Sequence, residues 1–174
     1  MAETQAGGRV ELAVDGAANV TTGLPVLDHL VGELAKTAGL RIALEVAPGT
    51  AGEEVAAAGR TLGVGLAELL RANAAWGRGW ASLPAEEALA SAALEISEQP
   101  LVVSNVDFSS QRVGGLASDV LARFLNELAA GAGLNVHIRV LEGRDPEHVL
   151  AAIFKALGAA IGQACRPRHG GVNE

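Results

Sequence analysis

The eight residues Gly39–Val46, GLRIALEV, have a counterpart 94 positions later in Gly133–Val140, GLNVHIRV. Each copy opens on a glycine and then alternates, with Leu40, Ile42, Leu44 and Val46 in one and Leu134, Val136, Ile138 and Val140 in the other. A period of two reads as a strand with one buried face. The glycine in front reads as the left-handed residue that ends a helix. Upstream of Gly39, Leu27, Leu30, Val31 and Leu34 form an apolar stripe at helical spacing, and Val120, Leu121, Phe124, Leu125 and Leu128 do the same before Gly133. Downstream, a short Gly/Pro turn leads each time into a second helix, over roughly 53–74 and 146–165. Asp145 is a suitable N-cap for the later one and Pro146 suits its first position. Glu33-Leu34-Ala35 with Glu127-Leu128-Ala129, and Ala57-Ala58 with Ala151-Ala152, keep the same offset. A helix–strand–helix unit therefore occurs twice.

Strands precede each unit. RVELAV (9–14) alternates, and AALEIS (92–97) and LVVSNVDF (101–108) read as a pair around Glu98-Gln99-Pro100. The expected architecture is α+β: two fused similar halves, about 1–80 and 81–174, each a mostly antiparallel sheet with two helices on one face. Gly77-Arg78-Gly79 and Ser82-Leu83-Pro84 mark the junction. Halves this small are expected to share one core, making 1–174 a single domain.

Composition narrows the function. The 174 residues carry a formal charge of -7, which argues against general nucleic-acid binding because phosphate recognition needs a concentrated basic surface. One cysteine, Cys165, rules out an internal disulfide framework. The N-terminus MAETQAGGRVE has no apolar signal core and no apolar run is long enough to span a membrane. The expectation is a soluble, cytoplasmic, acidic protein without nucleic-acid or membrane partners. No phosphate-binding glycine loop, nucleophile elbow or C-x-x-C is present, and the glycines of TLGVGL (61–66) read as helix packing points.

The chemistry-bearing residues are few. Of four histidines, His29 follows Asp28 in the first turns of a helix, His137 points away from the apolar face of its strand, His148 opens the last helix and His169 lies near the C-terminus. Imidazoles at strand and helix ends are suited to Zn, Mn, Fe or Ni, although this spacing alone fits solvated histidines equally. Arg112 follows a strand and precedes a glycine-rich turn and a helix, a place for phosphate or for a solvent-facing turn arginine. Glu86-Glu87 offers a general acid/base pair, but adjacent carboxylates on a strand point to opposite faces, so at most one serves a given site. Cys165 reads as an inert thiol.

Longer segments carry a family resemblance. TGLPVLDHL (22–30), LPAEEALASAALEIS (83–97), QRVGGL (111–116) and FKALGAAIGQA (154–164) resemble segments of imidazoleglycerol-phosphate dehydratase, a lyase of histidine biosynthesis. The resemblance implies a duplicated half with two helices on a four-stranded sheet, the ribosomal protein S5 domain 2-like sandwich. It implies dehydration of imidazole glycerol phosphate to imidazole acetol phosphate, with two Mn(II) ions on the substrate imidazole and an arginine-lined phosphate pocket. It also implies trimers that assemble into octahedral 24-mers, with metal sites at subunit interfaces.

The same comparison shows departures. The family's H-H-x-x-E at the start of each second helix reads Glu53-Glu54-Val55-Ala56-Ala57 in the first half and Glu147-His148-Val149-Leu150-Ala151 in the second. His29 and His137 match family histidines. Gln99 replaces a phosphate-binding arginine in Ser97-Glu98-Gln99-Pro100, the C-terminal serine-lysine-glycine segment has no match in RPRHGGVNE, and the early R-x-T-x-E-T survives only as Glu3-Thr4. Arg112 and Glu87 remain as substrate or phosphate contacts. No resident cofactor is expected beyond at most one residual metal drawn from His29, His137, His148, Glu53, Glu54 and Glu147. The bland reading of these glutamates is first-turn acids complementing the helix dipole. The expectation is a dehydratase-like protein with its reaction impaired or lost. The alternatives are an active dehydratase with an altered metal site, or a non-catalytic cage-forming or ligand-binding protein.

Overall fold

The structure is a computed structural model that describes residues 5–13, 15–107, 112–113 and 116–168. Its first half runs β1 (Ala6–Leu12), β2 (Ala17–Thr21), α1 (Pro25–Ala38), β3 (Leu40–Val46) and α2 (Ala51–Ala72). The second runs β4 (Arg78–Ala85), β5 (Ala88–Ile96), β6 (Leu101–Ser104), a short pair β7 (Arg112–Val113) and β8 (Leu116–Ala117), α3 (Ser118–Ala132), β9 (Leu134–Glu142) and α4 (Pro146–Ala164). The fold is α+β, with the helices of each half on one face of its own sheet.

The two stretches that define the repeat are the central strands. β3 lies between β1 and β2; β9 lies between β5 and β6, with β4 outside β5. In both sheets the earlier neighbour is antiparallel to the centre and the later one parallel, so both are mixed. With β4 antiparallel to β5, the second sheet is mostly antiparallel as expected, while the first has one pair of each kind. The expected pairing of 92–97 with 101–108 is therefore replaced: β5 and β6 flank β9 instead of each other. Alternation tells a strand which face is buried, and says nothing about which neighbour supplies its hydrogen bonds. Leu12 sits opposite Leu40 as Ile96 sits opposite Leu134, and Ala17 opposite Arg41 as Leu101 opposite Asn135. The early strands thus repeat at an offset of 84. The change to 94 comes from the longer link between β6 and α3, which carries β7 and β8.

Gly79 and Ser82-Leu83-Pro84 do not form a linker; they belong to β4, which starts just after Gly77. A Cβ on Gly79 would stand 1.9 Å from the Ala160 carbonyl oxygen, so glycine lets α4 lie directly on this edge strand. Trp80 N–H donates to Gln163 Oε1 at 3.0 Å, and Lys155 Nζ donates to the Pro84 carbonyl at 2.7 Å. Side chains of α4 thereby occupy an edge that would otherwise be open for pairing with another chain.

The helices obey their local signals. Gly39 and Gly133 end α1 and α3 at φ 65 and 70, the left-handed conformation that costs a non-glycine residue most. Thr50 and Glu53 form a reciprocal capping box on α2. Asp145 caps α4 by accepting from Glu147 N–H at 2.8 Å. Between the halves, α1 packs on α4 and α2 on α3. The stacked rings of Phe124 and Phe154, with centroids 5.8 Å apart, sit fully buried where α3 meets α4. One apolar cluster draws on both halves. The helical glycines of TLGVGL pack as expected at Gly63, whose place a Cβ would bring to 2.5 Å from the Leu128 carbonyl. Among the described residues no helix is long and apolar enough to cross a membrane.

Candidate functional site

Three local structures converge at the α1/α4 end of the molecule. The first is the entry to α1. Thr22, fully buried, gives its backbone N–H (3.1 Å) and its hydroxyl (2.5 Å) to Asp28 Oδ1, so the strand exit is tied to the first turn of the helix. His29 follows directly. The second is the start of α4, where the Asp145 cap fixes Glu147 and His148 in the first turn. The third is the β4–β5 hairpin. Glu86 and Glu87 form its two-residue turn, with Glu86 at φ 50, which corrects their expected placement on a strand.

Glu87 reaches from that turn to α4. Its Oε1 accepts from Arg144 N–H (3.2 Å) and Asp145 N–H (2.8 Å), and its Oε2 meets His148 Nδ1 at 2.5 Å. The Asp145 N–H, followed by the His148 contact, holds the Glu87 carboxyl down to about 2. The same contact with Glu87 raises the His148 pKa above its ordinary value. His148, Glu147 and His29 rim a groove of about 380 Å³ whose floor is Val26, Leu30, Leu150 and Ala151. Of the sequence candidates, the structure brings these three and Glu87 together.

The first half has a matching corner with different occupants. Glu53 Oε2 accepts from Thr50 N–H at 2.9 Å, and the Thr50 contacts, backbone first, lower its pKa. Glu54 is buried beside Gly23 and accepts from Gly49 N–H at 3.0 Å. Both carboxylates are thus engaged in holding the helix entry. The residue 94 positions after His29 is Arg123, an exposed arginine whose charge acts on Glu53 and whose guanidinium lies by Gly52. Arg123 was absent from the sequence candidates, although the repeat offset points straight to it.

His137 stands elsewhere. It lies on the outward face of the second sheet, in a row formed by Trp80, Ala93, His137 and Val103 across four strands. The groove there, about 440 Å³, is walled by Trp76, Trp80, Arg78 and Glu95, with the Arg78 guanidinium 5.7 Å above the Trp76 ring. Within one chain His137 therefore does not join His29 and His148. Among the described residues no three His, Cys, Asp or Glu side chains gather as a metal-holding group. The Arg112 side chain and His169 lie outside the described residues. Ser97 and Gln99 form a local turn, Gln99 N–H donating to Ser97 Oγ at 3.1 Å. Cys165 is buried and its thiol pushed up to about 11 by that burial, as an inert thiol requires.

A model of the family described as imidazoleglycerol-phosphate dehydratase matches residues 22–161, a span that contains both helix starts and the Glu87 turn. The chain belongs to the imidazoleglycerol-phosphate dehydratase family. It is 34% identical over 167 residues to the imidazoleglycerol-phosphate dehydratase of Desulforudis audaxviator, covering 91% of this chain and 84% of the relative. It is also 34% identical over 158 residues to the histidine biosynthesis bifunctional protein HisB of Stenotrophomonas maltophilia, 88% of this chain but 44% of that longer protein. The crystal structure of imidazoleglycerol-phosphate dehydratase from Staphylococcus aureus superposes with a TM-score of 0.85 at 25% identity, over 94% of this chain and 95% of that one. Family membership places the chain in a lyase family of histidine biosynthesis.

Proposed function

We propose that this chain is a dehydratase-family protein in which the family's two-manganese reaction is impaired or lost. The observation that carries the reading is the donor set at the two helix starts. Glu53 and Glu54 already serve the α2 entry, and Ala57 and Ala151 stand where the resemblance calls for carboxylates. What remains on one chain is His29, His148 and Glu147 around one groove, with His137 apart on a sheet face. This set does not fit a two-metal centre, because alkyl side chains cannot ligate and Mn(II) prefers several oxygen or imidazole donors. Arg112, the surviving phosphate-contact candidate, would still suit a small phosphorylated ligand.

A second reading, an active dehydratase with an altered metal site, draws on the pairing of His29 with His148 in that groove and on relatives that are named dehydratases. One experiment separates the two. Protein purified without chelator is analysed for metal and assayed for dehydration of imidazole glycerol phosphate. The first reading expects at most one weakly held metal per chain and little turnover; two Mn(II) per chain with turnover would overturn it. The reading also includes self-assembly, as a trimer or as an octahedral 24-mer, in the cytoplasm. Its support is the outward sheet face, where Trp80 is 63% exposed and Leu101 and Val103 lie open beside it.

A further inference from the structure

We propose that Glu87 is a positioning residue for His148, fixing the imidazole with its proton on Nδ1 and its Nε2 lone pair presented to the α1/α4 groove. The inference rests on the reading of that groove as what remains of the family's site. The carboxylate comes from a different element, the β4–β5 turn, and it is itself anchored by the backbone N–H groups of Arg144 and Asp145. An ionised carboxylate can only accept, so the Nδ1 facing Oε2 must be the donor. No protein group among the described residues bonds Nε2, and the ring lines the groove opposite His29. A tautomer held in this way determines which nitrogen a groove ligand meets. Among the described residues Glu87 is the one hydrogen-bond partner of the His148 ring.

The contact has a chemical consequence that a merely structural one lacks. In Glu87→Gln the amide oxygen still accepts from Arg144 and Asp145 N–H, so the loop stays anchored. The amide NH2 then faces Nδ1 and, being a donor, requires Nδ1 to accept; the ring proton moves to Nε2. Glu87→Ala removes both the anchor and the tautomer control. The test is ¹⁵N NMR of the histidine ring nitrogens, at a pH where His148 is neutral, with its signals assigned by their loss in His148→Gln. The wild type is expected to carry the proton on Nδ1 and Glu87→Gln to carry it on Nε2, with amide spectra otherwise superimposable. A wild-type ring protonated on Nε2 overturns the proposal, as does a Glu87→Gln protein that keeps the wild-type tautomer. Should Glu87→Gln fail to fold, the wild-type spectrum alone decides. Substantial dehydratase turnover by the wild type would overturn the reading of a lost reaction and leave the role of Glu87 standing.

Discussion

At the scale of single residues, Glu87 and His148 make a pH-dependent clasp between the β4–β5 turn and α4. Glu87 titrates in the fold at about 2, below its ordinary 4.5, so its contribution is complete above the ordinary value and disappears as pH falls through about 2. His148 is raised above 6.5, so its share is complete below 6.5 and disappears as pH rises through the raised value. Both are present together between about 4.5 and 6.5. The measured outcome is a difference in urea midpoint between wild type and Glu87→Ala that is largest inside that window and shrinks on either side. In Glu87→Ala the pKa of His148, followed by NMR, returns toward its ordinary value; an unchanged titration would sink this account. The clasp could not be read from the sequence, because 61 residues separate its partners and nothing local at either end announces the other. Glu53 is the opposite case. Thr50-Ala51-Gly52-Glu53 carries the capping-box signature in full, so the local task of that carboxylate is legible in the sequence itself.

Elements show the same division between local and non-local information. Glycine caps, stripes at helical spacing and alternation each lie within a few turns of chain, and α1, β3, α2, α3, β9 and α4 all appear where those signals put them. The neighbours of β5 and β6 did not, since the hydrogen bonds that pair them come from β9, more than thirty residues downstream of β6. Helix packing supplies two predictions. In α4 a Cβ on Gly158 would lie 2.3 Å from the Leu34 carbonyl oxygen, so Gly158→Ala forces α1 away and is expected to destabilise by about 1–3 kcal/mol. In α1 the space around Gly32 is open, and Gly32→Ala is expected to stabilise by up to about 1 kcal/mol through helix propensity. Urea denaturation of the two variants should therefore move in opposite directions from wild type, and equal shifts would contradict the packing. Thr50→Ala removes the cap from α2 and should lose about 1 kcal/mol in the same assay.

For the whole molecule, the outer faces of the two sheets are unequal, and the proposed self-assembly is expected to use the more apolar one. The face of the first sheet presents Arg9, Glu11, Arg41 and Glu45, with Glu11 near both arginines. The face of the second presents Trp80 and Val103 in one row and Arg78, Glu95 and Leu101 in the next, with Trp76 beside them. Trp76 and Trp80, half exposed or more, are large rigid side chains left facing water beside a β4 edge that α4 seals. Such a patch favours association, and aromatic anchors at its centre dominate the energy of the contact they make. Trp80→Asp is therefore expected to lower the solution mass measured by light scattering toward that of a single chain, while helix content by circular dichroism stays at the wild-type level. Because Trp80 lies in the same row as His137, assembly would bury that histidine against a second chain and give it a place in a site that one chain does not complete. A Trp80→Asp protein that keeps the wild-type mass would place the contact elsewhere and remove this reason for assigning His137 to the site.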